Sequence, residues 1–258
     1  IISTNEFRSF VPGSQWRIPS HDASRHGSTL LQQIYCGIRF TFPKSLYATH
    51  DAIKFFVANK PNALIVDFFA GSGTTLHAVN LMNAEDGGNR RCILVTNNEV
   101  SDDEAKLLSK KGYKPGDSEW EALGIARYVT WPRTVCTIKG HDIKGKPLKG
   151  NYINTEFAMA DGFKANAAYY KLGFLDKTSV ALGRQLAELL PVLWLKAGAY
   201  GVCPRLQNEK LSMMILPENK FAILMNEKQF QEFDAEVQKH PEIQTIYIVK
   251  KPPWGFEK

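Results

Sequence analysis

The sequence predicts an α/β fold with a mainly parallel sheet, followed by a smaller α+β module. Residues 63–67 form a short run that is apolar on both faces and ends in a carboxylate, as in a parallel strand covered by helices. A Gly-Ser-Gly turn, a helical pattern over 74–84 and a second apolar strand over 92–96 follow. The order strand, turn, helix, strand predicts a right-handed βαβ unit.

The elements around this unit are predicted from local signals. A short helix is expected over 28–34, and an extended segment over 40–45 leads into a helix over 46–58. Ser101 and Glu104 have the spacing of a capping box, which starts a helix that runs to Lys111. The remaining predictions for this part are a connecting loop over 1–27, a helix over 119–129 and a flexible basic hairpin loop between two strands over 139–150.

The composition changes after about residue 160, which predicts a domain over 1–160 and a second over 161–258. Helices are expected over 163–172 and 179–197, with a kink at Pro191 in the second. The tail then predicts a ββαβ module. Its strands span 211–216, 221–225 and 243–249, and its helix spans 227–238.

The amino-acid composition limits the classes to which the protein can belong. The chain has 258 residues, of which 44% are apolar and 22% charged, so it can bury a core and is not disordered. Its four cysteines lie far apart without CxxC spacing, which argues against a structural zinc site and fits a reduced, cytoplasmic protein. The net charge of +6 suits a polyanionic partner without establishing one. No run of 18 apolar residues is present.

The Gly-Ser-Gly turn carries the most chemical information. Asp67 ends the strand, and Gly71 and Gly73 allow a close approach of the backbone to a ligand, with positive φ at one of them. The following helix N-terminus attracts a carboxylate or phosphate. An acidic strand end without a phosphate-binding lysine favours a cofactor that bears an ammonium group. The Walker and GxGxxG patterns are absent, and a plain strand-to-helix turn is the alternative.

The nine residues from Asp67 to Thr75, DFFAGSGTT, closely resemble the first motif of the β-class amino-methyltransferases of DNA, especially the modification subunits of type III restriction systems. The segment 42–45, FPKS, is similar to the tenth motif of that family, with serine in place of its second proline. Residues 85–99 resemble the segment leading into the second motif. The clear resemblance covers roughly 26–130, and a weaker one covers 160–200.

The resemblance implies a Rossmann-like S-adenosylmethionine-dependent methyltransferase sheet in the domain over 1–160. Asp67 would face the methionine ammonium, the turn would pack against the methionine portion, and Lys44 and Ser45 would hold its carboxylate. Phe68 and Phe69 would contact the cofactor, with core packing as the alternative. The cofactor-binding candidates are Lys44, Ser45, Asp67, Phe68, Phe69, Ala70, Gly71, Ser72, Gly73, Thr74, Thr75, Asn97 and Glu99.

The second motif departs from the family pattern. Related enzymes place Asp or Glu after the second strand to hold the ribose, whereas Thr96 stands at that place here. Asn97 or Glu99 would then serve, and a helix-capping charge is the alternative for Glu99. The partner of the ribose therefore stays open.

The family's catalytic motif, Asp/Asn/Ser-Pro-Pro-aromatic, does not occur before Asp67. We therefore expect a fragment whose catalytic and target-recognition regions precede Ile1, and we assign no catalytic residue to this chain. The tetrapeptide 251–254, KPPW, begins with a lysine, which donates hydrogen bonds and cannot accept one from an amine. A loop that ends a strand is the better interpretation of this segment.

The implied activity is methyl transfer to adenine N6 in double-stranded DNA, with cytosine N4, RNA and a non-catalytic scaffold as alternatives. A restriction subunit and a second copy of the chain are candidate partners. Lys144, Lys146 and Lys149, together with Lys139, would contact DNA phosphates or belong to a solvated loop. Arg127 and Arg133, which flank aromatic Tyr128 and Trp131, would contact DNA or pack. His50 and His77 are interpreted as structural.

Overall fold

The computed structural model describes residues 13, 15–176, 186–206 and 212–249. The chain divides into two compact units, residues 1–169 and 170–258. The sequence suggested a change near residue 160, and the functional division between the two parts stays a prediction.

The first unit contains a two-stranded parallel sheet among helices. Its elements are α1 (Leu30–Tyr35), α2 (Leu46–Val57), β1 (Leu64–Asp67), α3 (Thr74–Asp86), β2 (Arg91–Leu94), α4 (Asp102–Lys110), α5 (Ser118–Ala122) and α6 (Trp131–Lys139). Strands β1 and β2 pair in parallel, with α3 as the connection between them. The predicted α/β class and the order strand, turn, helix, strand are confirmed.

One face of this sheet is open among the described residues. Leu64, Val66 and Ile93 are 50%, 44% and 48% exposed, whereas Ile65 and Cys92 on the other face are half-buried. The prediction that helices cover both faces is therefore wrong for the part of the chain that is described. The apolar run indicates that both faces are suited to burial, but it does not show which element covers each face.

The core of the first unit lies between α1, α2, α3 and α6. Ile34, Leu46 and Leu81 are fully buried there, and each such side chain contributes roughly 1.5–3 kcal/mol on burial. Tyr152 and Phe163 extend the core from the segment after α6. This packing holds the start of α3, and thus the turn that precedes it.

Two helix predictions in this region need correction. The helix expected over 119–129 ends at Ala122, where the Asn98 side chain donates to the Glu121 carbonyl oxygen and accepts from the Arg127 N–H. Helix α6, which the sequence did not predict, follows a π-helical turn at Ala126–Thr130. Its Pro132 lies in the first helical turn, where the missing N–H breaks no hydrogen bond.

The helix expected over 163–172 is also wrong, because 163–176 contains no regular secondary structure. Leu172 and Phe174 in this segment are fully exposed. A short helix without an apolar face to bury is marginal in water, which accounts for the failure of the local pattern.

The second unit contains α7 (Leu186–Lys196), β3 (Met213–Leu216), β4 (Phe221–Leu224), α8 (Phe230–Val237) and β5 (Thr245–Ile248). Strand β4 is buried between antiparallel β3 and parallel β5, so the predicted ββαβ module is confirmed. Pro191 lies inside α7, and residues 179–185 of that prediction lie outside the described residues. The tetrapeptide 251–254 and most of the predicted N-terminal loop also lie outside them. No helix in the described ranges is both long and apolar enough to cross a bilayer.

Candidate functional site

The turn between β1 and α3 depends on its two glycines. Gly71 and Gly73 have φ of 50° and 74°, in the left-handed region that side chains disfavour, so the positive φ predicted for one of them occurs at both. A Cβ on Gly73 would also lie 3.1 Å from Cγ2 of Thr130. The Thr130 hydroxyl donates to the Gly71 carbonyl oxygen at 2.6 Å. The π-helical turn before α6 thus supports the glycine turn through Thr130.

The carboxylate of Asp67 stabilises this turn through two hydrogen bonds. Its Oδ1 accepts a hydrogen bond from the Phe69 N–H at 3.0 Å, and its Oδ2 accepts one from the Thr75 hydroxyl at 2.6 Å. Asp67 is half-buried. Each carboxylate oxygen accepts more than one hydrogen bond, so the group keeps acceptor capacity for a cationic ligand.

Phe68 and Phe69 lie on the outer side of the turn. They are 67% and 93% exposed, so the alternative of core packing is wrong for both. Ala70 is buried, and its N–H donates to the Val95 carbonyl oxygen at 3.2 Å. The turn therefore presents two aromatic rings to solvent while its backbone is tied to the end of β2.

Phe40, which precedes the segment containing Lys44 and Ser45, places its ring beside the turn. A Cβ on Gly71 would lie 3.8 Å from the ring of Phe40, and a Cβ on Gly27 would lie 2.7 Å from the Pro43 carbonyl oxygen. Ser45 is 3% exposed and caps α2, since its hydroxyl accepts from Ala48 N–H and donates to the Ser20 carbonyl oxygen. The Lys44 side chain is exposed. The cap fixes the backbone that carries Lys44.

Asn97 and Glu99 follow β2 at the same edge of the sheet as the turn. Asp67 pairs with Leu94 in register, so both connections leave the carboxyl ends of the strands. The Asn97 side-chain amide donates to Glu99 at 3.3 Å, and both residues are exposed. Ser101 supplies the cap hydrogen bond of α4, so Glu99 does not cap that helix. The capping box of Ser101 and Glu104 is confirmed.

Arg133 lies beneath the turn and is 1% exposed. Its guanidinium donates to the Ser72 carbonyl and hydroxyl oxygens, to the Thr74 hydroxyl and to Nδ1 of His77. Burial, and then the charge of Arg133, lower the pKa of His77 well below its ordinary value, so this ring is neutral and structural. DNA contact by Arg133, one of the two alternatives, is therefore wrong.

The basic loop over 139–150 is anchored, and the prediction of a flexible loop between two strands is wrong. Helix α6 precedes it, and an isolated antiparallel bridge joins His141 and Pro147. Leu148 is 4% exposed in the core, and the Asp142 carboxylate accepts the N–H groups of Lys144 and Lys146 at 2.8 and 2.9 Å. The predicted DNA-contacting side chains of Lys144, Lys146 and Lys149 are exposed.

His50 joins α2 to α3 through carboxylates that the sequence did not single out. Its ring nitrogens lie 2.9 Å from Asp51 and 3.0 Å from Glu85, and His21 lies 2.8 Å from Asp51. His50, Asp51 and Glu85 line a cavity of about 540 Å³. Within the described ranges, no group of His, Cys, Asp and Glu is arranged to hold a metal ion, and His50 keeps its structural assignment.

The chain is similar to proteins of restriction-modification systems. It is 34% identical over 205 residues to the Mod subunit of the type III enzyme StyLTI from Salmonella typhimurium, which covers 69% of this chain and 30% of that protein. It is 36% identical over 89 residues to the Mod subunit of the type III enzyme EcoPI from Escherichia phage P1, covering 34% of this chain and 13% of that protein. It is 62% identical over 39 residues to the type II methyltransferase M.KpnI from Klebsiella pneumoniae, covering 15% and 9%. No protein-family model matches the chain.

The turn after β1 and these matches define the chain as a relative of restriction-modification methyltransferases. Within that class it is similar to type III Mod subunits, and the resemblance predicted from the sequence is confirmed. The chain spans about a third or less of the length of each of these relatives.

Proposed function

We propose that this chain forms the S-adenosylmethionine-binding part of a DNA methyltransferase that acts on adenine N6 in a restriction-modification system. The observation that carries the proposal is the turn from Asp67 to Thr75 at the carboxyl edge of the β1–β2 sheet. Ligands of open parallel sheets bind at this edge. The proposed fold is the Rossmann-like methyltransferase sheet, and its domain spans 1–160.

The charges around the turn are complementary to the methionine part of the cofactor. The Asp67 carboxylate, with spare acceptor capacity, would accept hydrogen bonds from the ammonium group. The N-terminus of α3 offers backbone N–H groups and a partial positive charge to the carboxylate. Gly71 and Gly73 leave the backbone bare, so the ligand approaches it closely. The two charges of one amino-acid group thus meet opposite partners across one short turn.

The other candidate residues would contact the cofactor around its methionine part, or position residues that do. Lys44 would add a positive charge near the carboxylate, and Ser45 would act by capping the helix that positions Lys44. Phe68 and Phe69 would cover apolar parts of the cofactor, because their rings are exposed at the turn. The oxygens of Asn97 or Glu99 would accept hydrogen bonds from the ribose hydroxyls.

When bound, S-adenosylmethionine supplies the methyl group, and the residues of this chain hold it in a fixed orientation. Positioning contributes most of the rate in such a direct displacement, because no acid or base needs to move a proton before the attack. Double-stranded DNA is the proposed substrate, with a restriction subunit or a second copy as partner. We assign the protein to the cytoplasm, where its four free cysteines stay reduced.

Asp67→Asn tests the proposal by calorimetry with S-adenosylmethionine. The amide keeps the shape of the side chain and an acceptor for the Phe69 N–H, but it removes the charge. Hydrogen bonds to charged groups contribute roughly 1.5–3 kcal/mol, so we expect the dissociation constant to rise about tenfold or more. Asp103→Asn is the matched control, because that side chain is 95% exposed on α4. Equal affinity of the Asp67 variant and the wild-type chain would remove Asp67 from the site.

A further inference from the structure

Arg133 is a buried cation whose hydrogen-bond partners are all neutral. They are the Ser72 carbonyl and hydroxyl at 3.2 Å, the Thr74 hydroxyl at 2.8 Å and Nδ1 of His77 at 3.3 Å. No carboxylate among the described residues forms an ion pair with it. Buried charges are normally paired, because an isolated one is costly to desolvate. The guanidinium therefore places an uncompensated positive charge directly under the turn.

The hydroxyls of Ser72 and Thr74, which contact Arg133, carry two hydrogens but have an acceptor within the described ranges for only one of them. Ser72 Oγ and Thr74 Oγ1 lie 3.1 Å apart, so one hydroxyl donates to the other. The guanidinium has no acceptor atom and only donates to them. Neither hydroxyl has a further acceptor among the described residues, although Ser72 and Thr74 are 4% and 5% exposed. One buried hydroxyl hydrogen is thus left without an acceptor among the described residues.

The tautomer of His77 determines which groups donate and which accept in this hydrogen-bond network. Because its Nδ1 accepts from Arg133, the neutral ring carries its hydrogen on Nε2 and donates to the Tyr152 hydroxyl at 2.9 Å. The ring packs edge-on against Tyr152 and Phe163 in the core. The guanidinium is consequently also held in place by His77 of α3.

We propose that Arg133 is a positioning residue of the cofactor site, which aims the free hydroxyl hydrogen of Ser72 or Thr74 at the carboxylate of S-adenosylmethionine. The carboxylate then supplies the negative charge that the guanidinium lacks. This inference rests on the proposed function. It adds an electrostatic attraction between the buried Arg133 and the ligand, which selects ligands with a carboxylate over those without one.

The test compares S-adenosylmethionine with decarboxylated S-adenosylmethionine, which keeps the sulfonium and the ammonium and lacks the carboxylate. Calorimetry on the full chain should show that the wild-type protein prefers the first ligand by about tenfold or more, the size expected for a charge-assisted hydrogen bond. Arg133→Met should reduce this preference severalfold, with the remainder coming from Lys44 and the N-terminus of α3, and leave the affinity for the decarboxylated ligand unchanged; an unchanged preference would overturn the inference. Arg133→Lys should retain most of the preference, because it keeps the charge.

A structural role alone would lower the affinity for both ligands in Arg133→Met, and that result would overturn the inference. A wild-type chain that binds the two ligands equally would also overturn it while leaving the proposed function intact. Failure to bind either ligand would overturn both. Replacing a buried ion by an apolar side chain is often neutral for folding, and circular dichroism checks this. If Arg133→Met does not fold, the double variant Ser72→Ala/Thr74→Val takes its place, and an unchanged ligand preference in that variant contradicts the inference.

Discussion

At the residue scale, the site brings together opposite charges on the two sides of one turn. Asp67 places a carboxylate at the end of β1, and Arg133 places a guanidinium under Ser72 and Thr74. An amino-acid group has its ammonium and carboxylate on one carbon, so protein charges of opposite sign on the two sides of the turn would fix its orientation. The sequence indicated Asp67 through its motif. It gave no comparable signal for Arg133, because a lone arginine beside aromatics is equally typical of a surface.

A second charged group at the residue scale is His50 with its two carboxylates. Burial alone lowers the pKa of His50, but the hydrogen bonds to Glu85 and Asp51 outweigh it and the net pKa is raised above 6.5. Burial raises the pKa values of Asp51 and Glu85, but hydrogen bonds from His50, and from His21 to Asp51, lower both below their ordinary 3.8 and 4.5. His50 contributes its full stabilisation of the fold below about pH 6.5, and this contribution is lost as the pH rises through the raised pKa of His50. The carboxylates stabilise above about pH 4.5 and lose their effect as the pH falls.

His50→Gln should therefore destabilise α2 and α3 most between about pH 4.5 and about pH 6.5. We expect a loss of about 1–2 kcal/mol at pH 6, reduced from the full charged-bond value because Asp51 is partly exposed, and a smaller loss at pH 9. Hydrogen-exchange protection of the α2 and α3 amides measures it. His240→Gln, in the second unit, is the control and should leave these amides unchanged. A loss of the same size at both pH values would show that the ring acts by packing alone.

At the element scale, the strand-turn-helix unit was predictable because each piece has a local cause. Gly71 and Gly73 are required by positive φ, and Ser101 supplies its own cap hydrogen bond. The helices that were missed or misplaced depend on contacts far along the chain. Helix α6 contacts the turn through Arg133, and at the break before it the Asn98 side chain hydrogen-bonds the Glu121 carbonyl oxygen and the Arg127 N–H. Local propensity does not carry that information.

The basic loop is the element for which the structure changes the expectation most. Asp142 and Leu148 hold it, so its lysines project from an ordered support. An anchored loop loses less conformational entropy when it contacts a phosphate backbone than a mobile loop does. This favours the DNA-contacting alternative, which stays a prediction.

Replacing Lys144, Lys146 and Lys149 together with alanine tests that role. Each neutralised phosphate contributes a slope of roughly −0.9 in the logarithmic dependence of duplex DNA affinity on salt, so the slope should become shallower by about 2 to 3. Fluorescence anisotropy of labelled duplex DNA over a salt series measures it. Alanine at Lys106, Lys110 and Lys111 removes the same charge from the end of α4 and serves as the control. An unchanged slope in the loop variant would identify a solvated loop.

At the scale of the whole molecule, the chain is similar to parts of longer methyltransferases and contains no Asp/Asn/Ser-Pro-Pro-aromatic tetrapeptide. The family resemblance was predictable because the motif residues are consecutive. The open face of the sheet was not predictable, because an apolar run does not identify what covers it.

The purified chain alone should therefore transfer no methyl group to DNA. Tritiated S-adenosylmethionine and unmethylated duplex DNA are the reagents, and an active adenine methyltransferase in the same buffer is the positive control. Incorporation above background would mean that a catalytic residue had been overlooked. Residues 251–254 would then be the first segment to substitute.

The central claim is that the turn after β1 and the segment after β2 form one cofactor site. Titration of the isotopically labelled chain with S-adenosylmethionine, followed by two-dimensional amide NMR, tests it most directly. We expect the amides of Gly71, Gly73, Thr74, Asn97 and Glu99 to shift together along one saturation curve, while those of β3 and β4 stay in place. A folded chain in which these five amides do not move, or move with different saturation curves, would contradict the claim.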